Sequence, residues 1–475
     1  MSMSRRAQER QESLWVPTTE LPATPGNPFY TKLNELLREA EFDRQVEALC
    51  EPFYASGKGR PSIAPGVYFR MLLIGYFEGI DSERGIAWRC ADSLSLKQFL
   101  GYRLEEKTPD HSSLSRIRTR LDLETHQAAF DLVLGIVADK GLLSGKALGV
   151  DSSTMEANAA LRSIVRRDNG KGYEEFLTDI AAESGIPTPT RDDLAKIDKK
   201  RAKKGSNADW ESPVDPEARI TRMKDGSTHL AHIVEHAVDM KTGAIAGATI
   251  QDAVAGDTNT IYDTLTRALG ALVQVLTVQG SQGGISAEAG KEIVADKGYH
   301  SNDTMETMVD VGCRSYISEP DRGNRNWTDK EGARDATRAN KARLDRTKGK
   351  ALMRKRGELI ERSFAHTLES GAMRRAHLRG QSNIMKRYHL QAAAFNLGLV
   401  MRTIVGAGTP KGLAARAQAA SAALMRSVET DSARFIALVR QFDWTCRFRW
   451  HVLARNLAGR KGRASAEIAA FSTGC

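Results

Sequence analysis

The chain has 475 residues, 41% hydrophobic and 6% aromatic, and its 69 Lys and Arg outnumber 59 Asp and Glu for a net charge of +10. That length points to two or three domains, no apolar run reaches the roughly eighteen residues of a membrane span, and the basic balance suits a nucleic-acid partner. Five scattered cysteines, Cys50, Cys90, Cys313, Cys446 and Cys475, make neither a zinc pattern nor a disulfide framework, so a reducing cytoplasm is expected.

Residues 1–27 begin MSMSRRAQERQE, which has no signal-peptide pattern, and continue Pro-rich; a basic, mobile arm is expected. From Phe29 to about Asp122 the pattern is helical. Phe29, Leu33, Leu36, Leu37 and Phe42 form one stripe, and Tyr68, Leu72 and Tyr76 with Met71 and Leu73 form another. Gly59-Arg60-Pro61-Ser62 and Ala64-Pro65-Gly66 punctuate the approach to the second helix. Thr108-Pro109-Asp110 is a helix start, and the helix that follows puts Ser113, Arg116 and Arg120 on one face. That face either meets DNA or is simply solvated.

A helix over 125–140 leads to the apolar run Ala147–Val150, which ends at Asp151. Residues 162–228 read as a polar insertion with Lys196, Lys199, Lys200, Arg201, Lys203 and Lys204, either a solvated surface or a DNA contact. Two β-rich runs, 228–238 and 244–250, are joined by Asp239–Gly243 and predict a hairpin. A helix from 258 to 271, a Gly/Ser loop at 280–284 and the short strand Glu292–Ala295 follow, the last ending at Asp296. A helix over 303–311 and a strand over 314–318 complete a mixed α/β pattern. Between Asp321 and Arg356 thirteen Lys and Arg face five Asp and Glu, a block that is either solvated or turned to a polyanion. Residues 389–402 read as a core helix. The tail beyond 403 is helical and basic, with Phe442, Trp444, Phe448 and Trp450 among arginines, suited to an oligomer contact or to nucleic acid.

A carboxylate at the mouth of a buried strand either holds a hard cation or caps the next helix. Two such carboxylates stand in GVDSSTMEANA from Gly149 and VADKGYHS from Val294, and downstream GELIERSFAH from Gly357 sits in a helical pattern with Leu359, Ile360 and Phe364 as its apolar positions. With MRRAHLRGQSNIMKR from Met373, they make the chain resemble the DDE transposases of bacterial insertion sequences, the large class with Asp-Lys-Gly-Tyr around the second acid. The resemblance spans roughly residues 30–402. It implies an RNase H-like mixed sheet flanked by helices over 140–402, preceded by a helical, helix-turn-helix-like DNA-binding domain over 28–125.

By the same resemblance the catalytic, metal-holding acids are Asp151, Asp296 and Glu361, with two Mg²⁺ ions, or Mn²⁺, between them and the phosphate. The third is the least fixed, because the family's arginine four positions before its glutamate falls here on Gly357; Glu358 is the alternative. Tyr299 and His300 stand behind the acids or touch substrate. His111, His229, His232 and His236 have no metal-ligand spacing and read as structural or surface residues. DNA contacts are expected from Arg116, Arg120, Arg343, Arg346, Lys348, Lys350, Arg356 and Arg362. The implied activity is cleavage at the inverted repeats of an element and strand transfer into target DNA. A homodimer or larger assembly in the bacterial cytoplasm, at the nucleoid and without a membrane, is expected to carry it out. An RNase H-like nuclease without joining and a non-catalytic DNA-binding regulator are the alternatives.

Overall fold

Helix caps written into the sequence set out the first third of the chain. In the computed structural model, which describes residues 26–55, 62–201, 205–223, 225–279, 288–323 and 325–471, seven helices come first. Side chains at 278, 279 and most positions after 440 are not part of that description. The arm as far as residue 25, Gly59-Arg60-Pro61, Lys203, Lys204 and the 280–284 loop also lie outside it.

Asn27 accepts a hydrogen bond from the Phe29 amide and Pro28 supplies the first turn of α1 (Pro28–Glu39), which buries Phe29, Leu33, Leu36 and Leu37, while Phe42, expected on the same stripe, opens the next helix. Next come α2 (Phe42–Cys50) and α3 (Pro65–Glu78), the latter buried nearly all round and closed by Gly79 at φ +69. Ser82, Ser93, Asp110 and Asp122 cap α4 (Glu83–Asp92), α5 (Leu94–Phe99), α6 (His111–Arg120) and α7 (Leu123–Asp139).

The first strand, β1, runs Ala147–Glu156, beyond the expected end at Asp151. Its Ser-Ser-Thr tail looks like loop, but a long partner strand pairs it throughout, from Leu148↔Asp239 to Glu156↔Ala231. The insertion then forms β2 (Val165–Arg166), α8 (Tyr173–Glu183), α9 (Arg191–Lys200), β3 (Trp210–Glu211) and β4 (Arg219–Arg222). It is more than solvated surface, since Trp210, Ile164, Leu230 and Ala157 make a small core of its own. The hairpin follows as β5 (Thr228–Asp239) and β6 (Ile245–Asp252). Asp239 holds its turn by accepting from the Lys241 and Thr242 amides. Helix α10 (Asp257–Gln279), β7 (Glu292–Ala295), α11 (Asn302–Asp310) and β8 (Arg314–Ile317) come next.

The resulting sheet is mixed. β5 is antiparallel to β1, β4 and β6, whereas β7 lies parallel to β1 and β8 parallel to β7. β4 and β6 share the far edge of β5, one beside Thr228–Ala231 and the other beside His232–Val238.

From Glu331 onward the basic block is helical. It forms α12 (Glu331–Asp345) and most of α13 (Thr347–Phe364), after which the chain widens into one π-helical stretch, Ala365–Ser370. Helix α14 (Gln381–Val405) is buried along most of its length. Residues 381–440 include an apolar window long enough to cross a bilayer, but 67% of that window is buried in the fold, as a core helix would be. Lys386 and Arg387 are buried there, donating to the carbonyls of Arg118 and Ile80; they tie α14 to the N-terminal helices.

Paired strand residues share a face, so two layers follow. His236 of β5 meets Ser363 and Tyr388, which puts α13 and α14 on one face. Glu235 meets Thr260, which puts α10 on the other. The chain divides into two units, residues 1–410 and 411–475. The second consists of helix α15 (Pro410–Phe471), along which Leu424, Met425, Val428, Phe435, Ile436 and Val439 are exposed.

Candidate active site

Register brings the first two acids together. The parallel pairing of β1 with β7 reaches Gly149↔Val294, and two residues further along each chain stand Asp151 and Asp296. Asp296 keeps an extended backbone (φ −83, ψ −174), so both carboxylates leave the sheet on the face that Gly149 and Val294 share. Helix α13 covers that face closely: a Cβ on Gly149 would lie 3.1 Å from Ile360 Cδ1 and 3.5 Å from Arg356 Cγ.

Each aspartate is partly tied down. Asp151 Oδ1 accepts from the Ser152 amide at 2.9 Å, and its Oδ2 accepts from Arg356 Nη1 at 2.8 Å. Asp296 Oδ1 accepts from the Gly298 amide at 2.8 Å and caps the short 3-10 turn Lys297–Tyr299. The capping role foreseen as an alternative for this residue is therefore present, and it leaves the second oxygen free for another partner.

A third carboxylate stands beside them, one that sequence reasoning passed over. Asp257 opens α10 and accepts from Ser152 Oγ at 3.4 Å. A Cβ on Gly298 would lie 2.4 Å from Asp257 Oδ2 and 3.1 Å from Asp296 Oδ1, so only glycine lets the two carboxylates close over this turn. A lone Asp at a helix start reads as a cap, and no residue spacing marks it otherwise. Burial, and then the charges of Asp296 and Asp151, push the Asp257 carboxyl upward. Burial raises Asp151 as well; Arg356 opposes that rise and Asp296 adds to it.

Behind this trio, Glu235 is fully buried, and its Oε1 accepts from Tyr299 Oη at 2.7 Å and Thr260 Oγ1 at 2.8 Å. Burial raises its carboxyl. Burial followed by Glu235 drives the Tyr299 phenol far above its ordinary range, so Tyr299 is a neutral donor that fixes the turn. The His300 ring is buried with neither nitrogen hydrogen-bonded among the described residues, while its carbonyl accepts from Arg322 Nη2.

Glu361 lies elsewhere on α13. Arg356, Ile360, Ser363 and Phe364 face the sheet; Glu361 is exposed, about 140° around the helix from Arg356 at 100° per residue. Its carboxylate makes no hydrogen bond or ion pair among the described residues. Glu358 is exposed too and pairs with Arg362 at 2.6 Å. Among the described residues no group of three His, Cys, Asp or Glu side chains is arranged to hold a metal ion. The donors at the sheet end nevertheless suit a hard divalent cation: three carboxylates that repel one another, with a single guanidinium bonded to them.

The expected DNA-contacting cations separate into two sets. Arg343 donates to the Ser315 carbonyl and hydroxyl, Lys348 pairs with buried Glu292, and Arg356 and Arg362 are paired as described. Arg346 and Lys350 are exposed on α13 and its approach. On α6, Arg116 and Arg120 are exposed, the first bonded to Ser112 and the second over the Tyr54 ring at 4.7 Å.

Of the histidines doubted as ligands, His232 is buried against Asp215 at 3.2 Å, and His236 lies between α13 and α14. The three described cysteine side chains, Cys50, Cys90 and Cys313, are free.

Two families match the chain. The transposase domain (DUF772) matches residues 21–120, through the end of α6, and the transposase DDE domain matches residues 310–401, from the end of α11 into α14. The second match includes Arg356, Glu358 and Glu361; Asp151, Asp257 and Asp296 fall between the two. No curated protein matches the chain.

Proposed function

The chain is a DDE-type transposase, and we propose that it binds the ends of a mobile DNA element, cuts them with divalent ions held by Asp151 and Asp296, and joins the freed 3′ ends to target DNA. The observation that carries this reading is the placing of Asp151 and Asp296 each two residues past Gly149↔Val294, the last paired positions of two parallel strands, with Asp257 beside them, in a strongly basic protein.

Two Mg²⁺ or Mn²⁺ ions at such a centre would activate a water or a DNA 3′-hydroxyl and neutralise charge on the phosphate oxygens. The chain's own residues orient the reaction. Asp151 and Asp296 would hold the ions, Asp296 being fixed by the Gly298 amide through one of its oxygens. Tyr299 and Glu235 hold the turn beneath. We assign the family's third acid to Glu361, which stands exposed on α13. In the arrangement described here Asp257 supplies the third carboxylate. We read the sheet as RNase H-like and the N-terminal helices as the element-end reader, with Arg116 and Arg120 toward DNA. Arg346 and Lys350 meet phosphates near the centre, and a dimer or larger assembly holds two ends at once.

The test is to look for inverted repeats flanking the reading frame and to assay cleavage of duplexes that carry them. Wild-type protein is expected to nick them in Mg²⁺ and to give joined products with target DNA. Asp151→Asn and Asp296→Asn are expected to bind the same duplexes and cut neither. Cutting by either variant at the wild-type rate would remove that acid from the mechanism; cutting without joined product would make the protein a nuclease.

A further inference from the structure

Arg356 is the one cation hydrogen-bonded to the three aspartates of the centre among the described residues. Its Nη1 lies 2.8 Å from Asp151 Oδ2, the oxygen left free by the Ser152 amide. Its side chain is only 13% exposed and that of Asp151 27%, so the pair is well shielded from solvent. The guanidinium is poorly satisfied there, because its Nε is buried without a partner. Two features keep it in reach. Gly149 brings no side chain between β1, Met240 and α13, where a Cβ would lie 2.4 Å from Met240 Sδ and 3.1 Å from Ile360 Cδ1, and Ile360 is one turn along from Arg356.

We propose that Arg356 is an internal counter-ion, which takes the ion's place on Asp151 and must leave as the ion binds. This rests on the reading of Asp151 as an ion ligand. A guanidinium and a dication cannot share one carboxylate oxygen without strong repulsion at contact distance. Ion binding therefore breaks the Arg356–Asp151 bond and releases a cation on the helix that also carries Glu361. Arg356 acts through Asp151 as a positioning residue. It holds the carboxylate in place while the centre is ion-free and lowers the centre's ion affinity by roughly tenfold, the worth of one shielded charge-assisted hydrogen bond.

The experiment is a Mn²⁺ titration of the full-length, DNA-free protein, reading free Mn²⁺ by electron paramagnetic resonance. Arg356→Gln is expected to bind Mn²⁺ about tenfold more tightly than wild type, and Arg356→Lys to fall between. In chelator Arg356→Gln is expected to melt lower than wild type, because Asp151 is left uncompensated, and to show the larger rise in Tm on adding Mn²⁺. Equal or weaker Mn²⁺ binding by folded Arg356→Gln overturns the proposal. If that variant does not fold in chelator, Arg356→Lys decides by the same criterion. Asp151→Asn separates the two levels of the argument. If it binds Mn²⁺ as wild type does, the assignment of Asp151 as a ligand fails. If it loses Mn²⁺ while Arg356→Gln is unchanged, only the exchange fails.

Discussion

The His236 imidazole is stacked on the Phe364 ring, with centroids 4.2 Å apart and planes 14° from parallel. His236 is the cross-strand partner of Asp151, and Phe364 closes α13, so this contact sets the helix over the acid. Ser363 Oγ and Tyr388 Oη lie 2.8 Å from its two ring nitrogens. His236→Leu is expected to cost about 2–3 kcal/mol, from two buried hydroxyls that lose a partner, and to slow cleavage through misplacement of α13. Urea denaturation and a cleavage assay on one preparation check both.

Burial lowers the His236 pKa to about 3 from an ordinary 6.5. The unfolded chain therefore binds the proton first, and the stability this neutral ring contributes is complete above pH 6.5 and lost as pH falls toward 3. His126, lowered to about 4, acts in the same direction. Asp151 and Asp257, raised chiefly by burial, act oppositely. Stability in chelator should fall between pH 7 and pH 5, by roughly 2 kcal/mol for each such histidine. A flat profile would mean that these rings are not held neutral.

Gly298→Ala places a methyl 2.4 Å from Asp257 Oδ2. Asp257 Oδ2, the end of a side chain, must shift away from the turn, so Mn²⁺ affinity and cleavage should both drop with little change in stability. Retained Mn²⁺ affinity would show that Asp257 stands outside the ion's shell.

The third acid is decided by rank. Cleavage rates at saturating Mg²⁺ for Asp257→Asn, Glu361→Gln and Glu358→Gln should differ. Glu361→Gln is expected to be as inactive as Asp151→Asn, and Glu358→Gln the mildest. Activity in Glu361→Gln together with none in Asp257→Asn would transfer the role to Asp257.

Neutralising exposed Arg346 and Lys350 together should make the log–log salt dependence of DNA binding shallower by roughly 0.9 for each phosphate that the variant no longer neutralises. Neutralising Arg343 and Lys348 should mainly lower Tm, because one bonds Ser315 and the other buried Glu292. The reverse outcome would place DNA on the β8 side of these helices.

Local signals carried much of this architecture. Asp110 caps α6 as its position before a polar helix foretells, and the Asp239–Gly243 turn joins two strands close to their expected limits. Apolar runs located β1, β7 and β8 because buried strands need such runs wherever they occur. Relations between distant segments were not legible. Nothing near Arg343 or Lys348 announces that Ser315 and Glu292 will occupy them, so a charge count treats all the block's cations alike. Asp257 was missed for the same reason, as its neighbours Ser152, Asp296 and Gly298 arrive from other strands. The polar half of β1 is strand only because β5 is long enough to pair with it.

The parallel seam between β1 and β7 also sets when a cutting centre can exist. Asp151 is translated 145 residues before Asp296, and Arg356 and the rest of α13 follow later still. The β5–β6 hairpin can close early from neighbouring residues. The β1–β7 pairing requires a long intervening stretch to be ordered first, and such non-local parallel pairing is slow. A growing chain on the ribosome thus carries its exposed N-terminal cations well before it carries paired aspartates. On the proposed reading of the N-terminal helices as the element-end reader, a truncated product ending before β7 is expected to bind element ends without cutting them and to compete with the finished protein for the same sites.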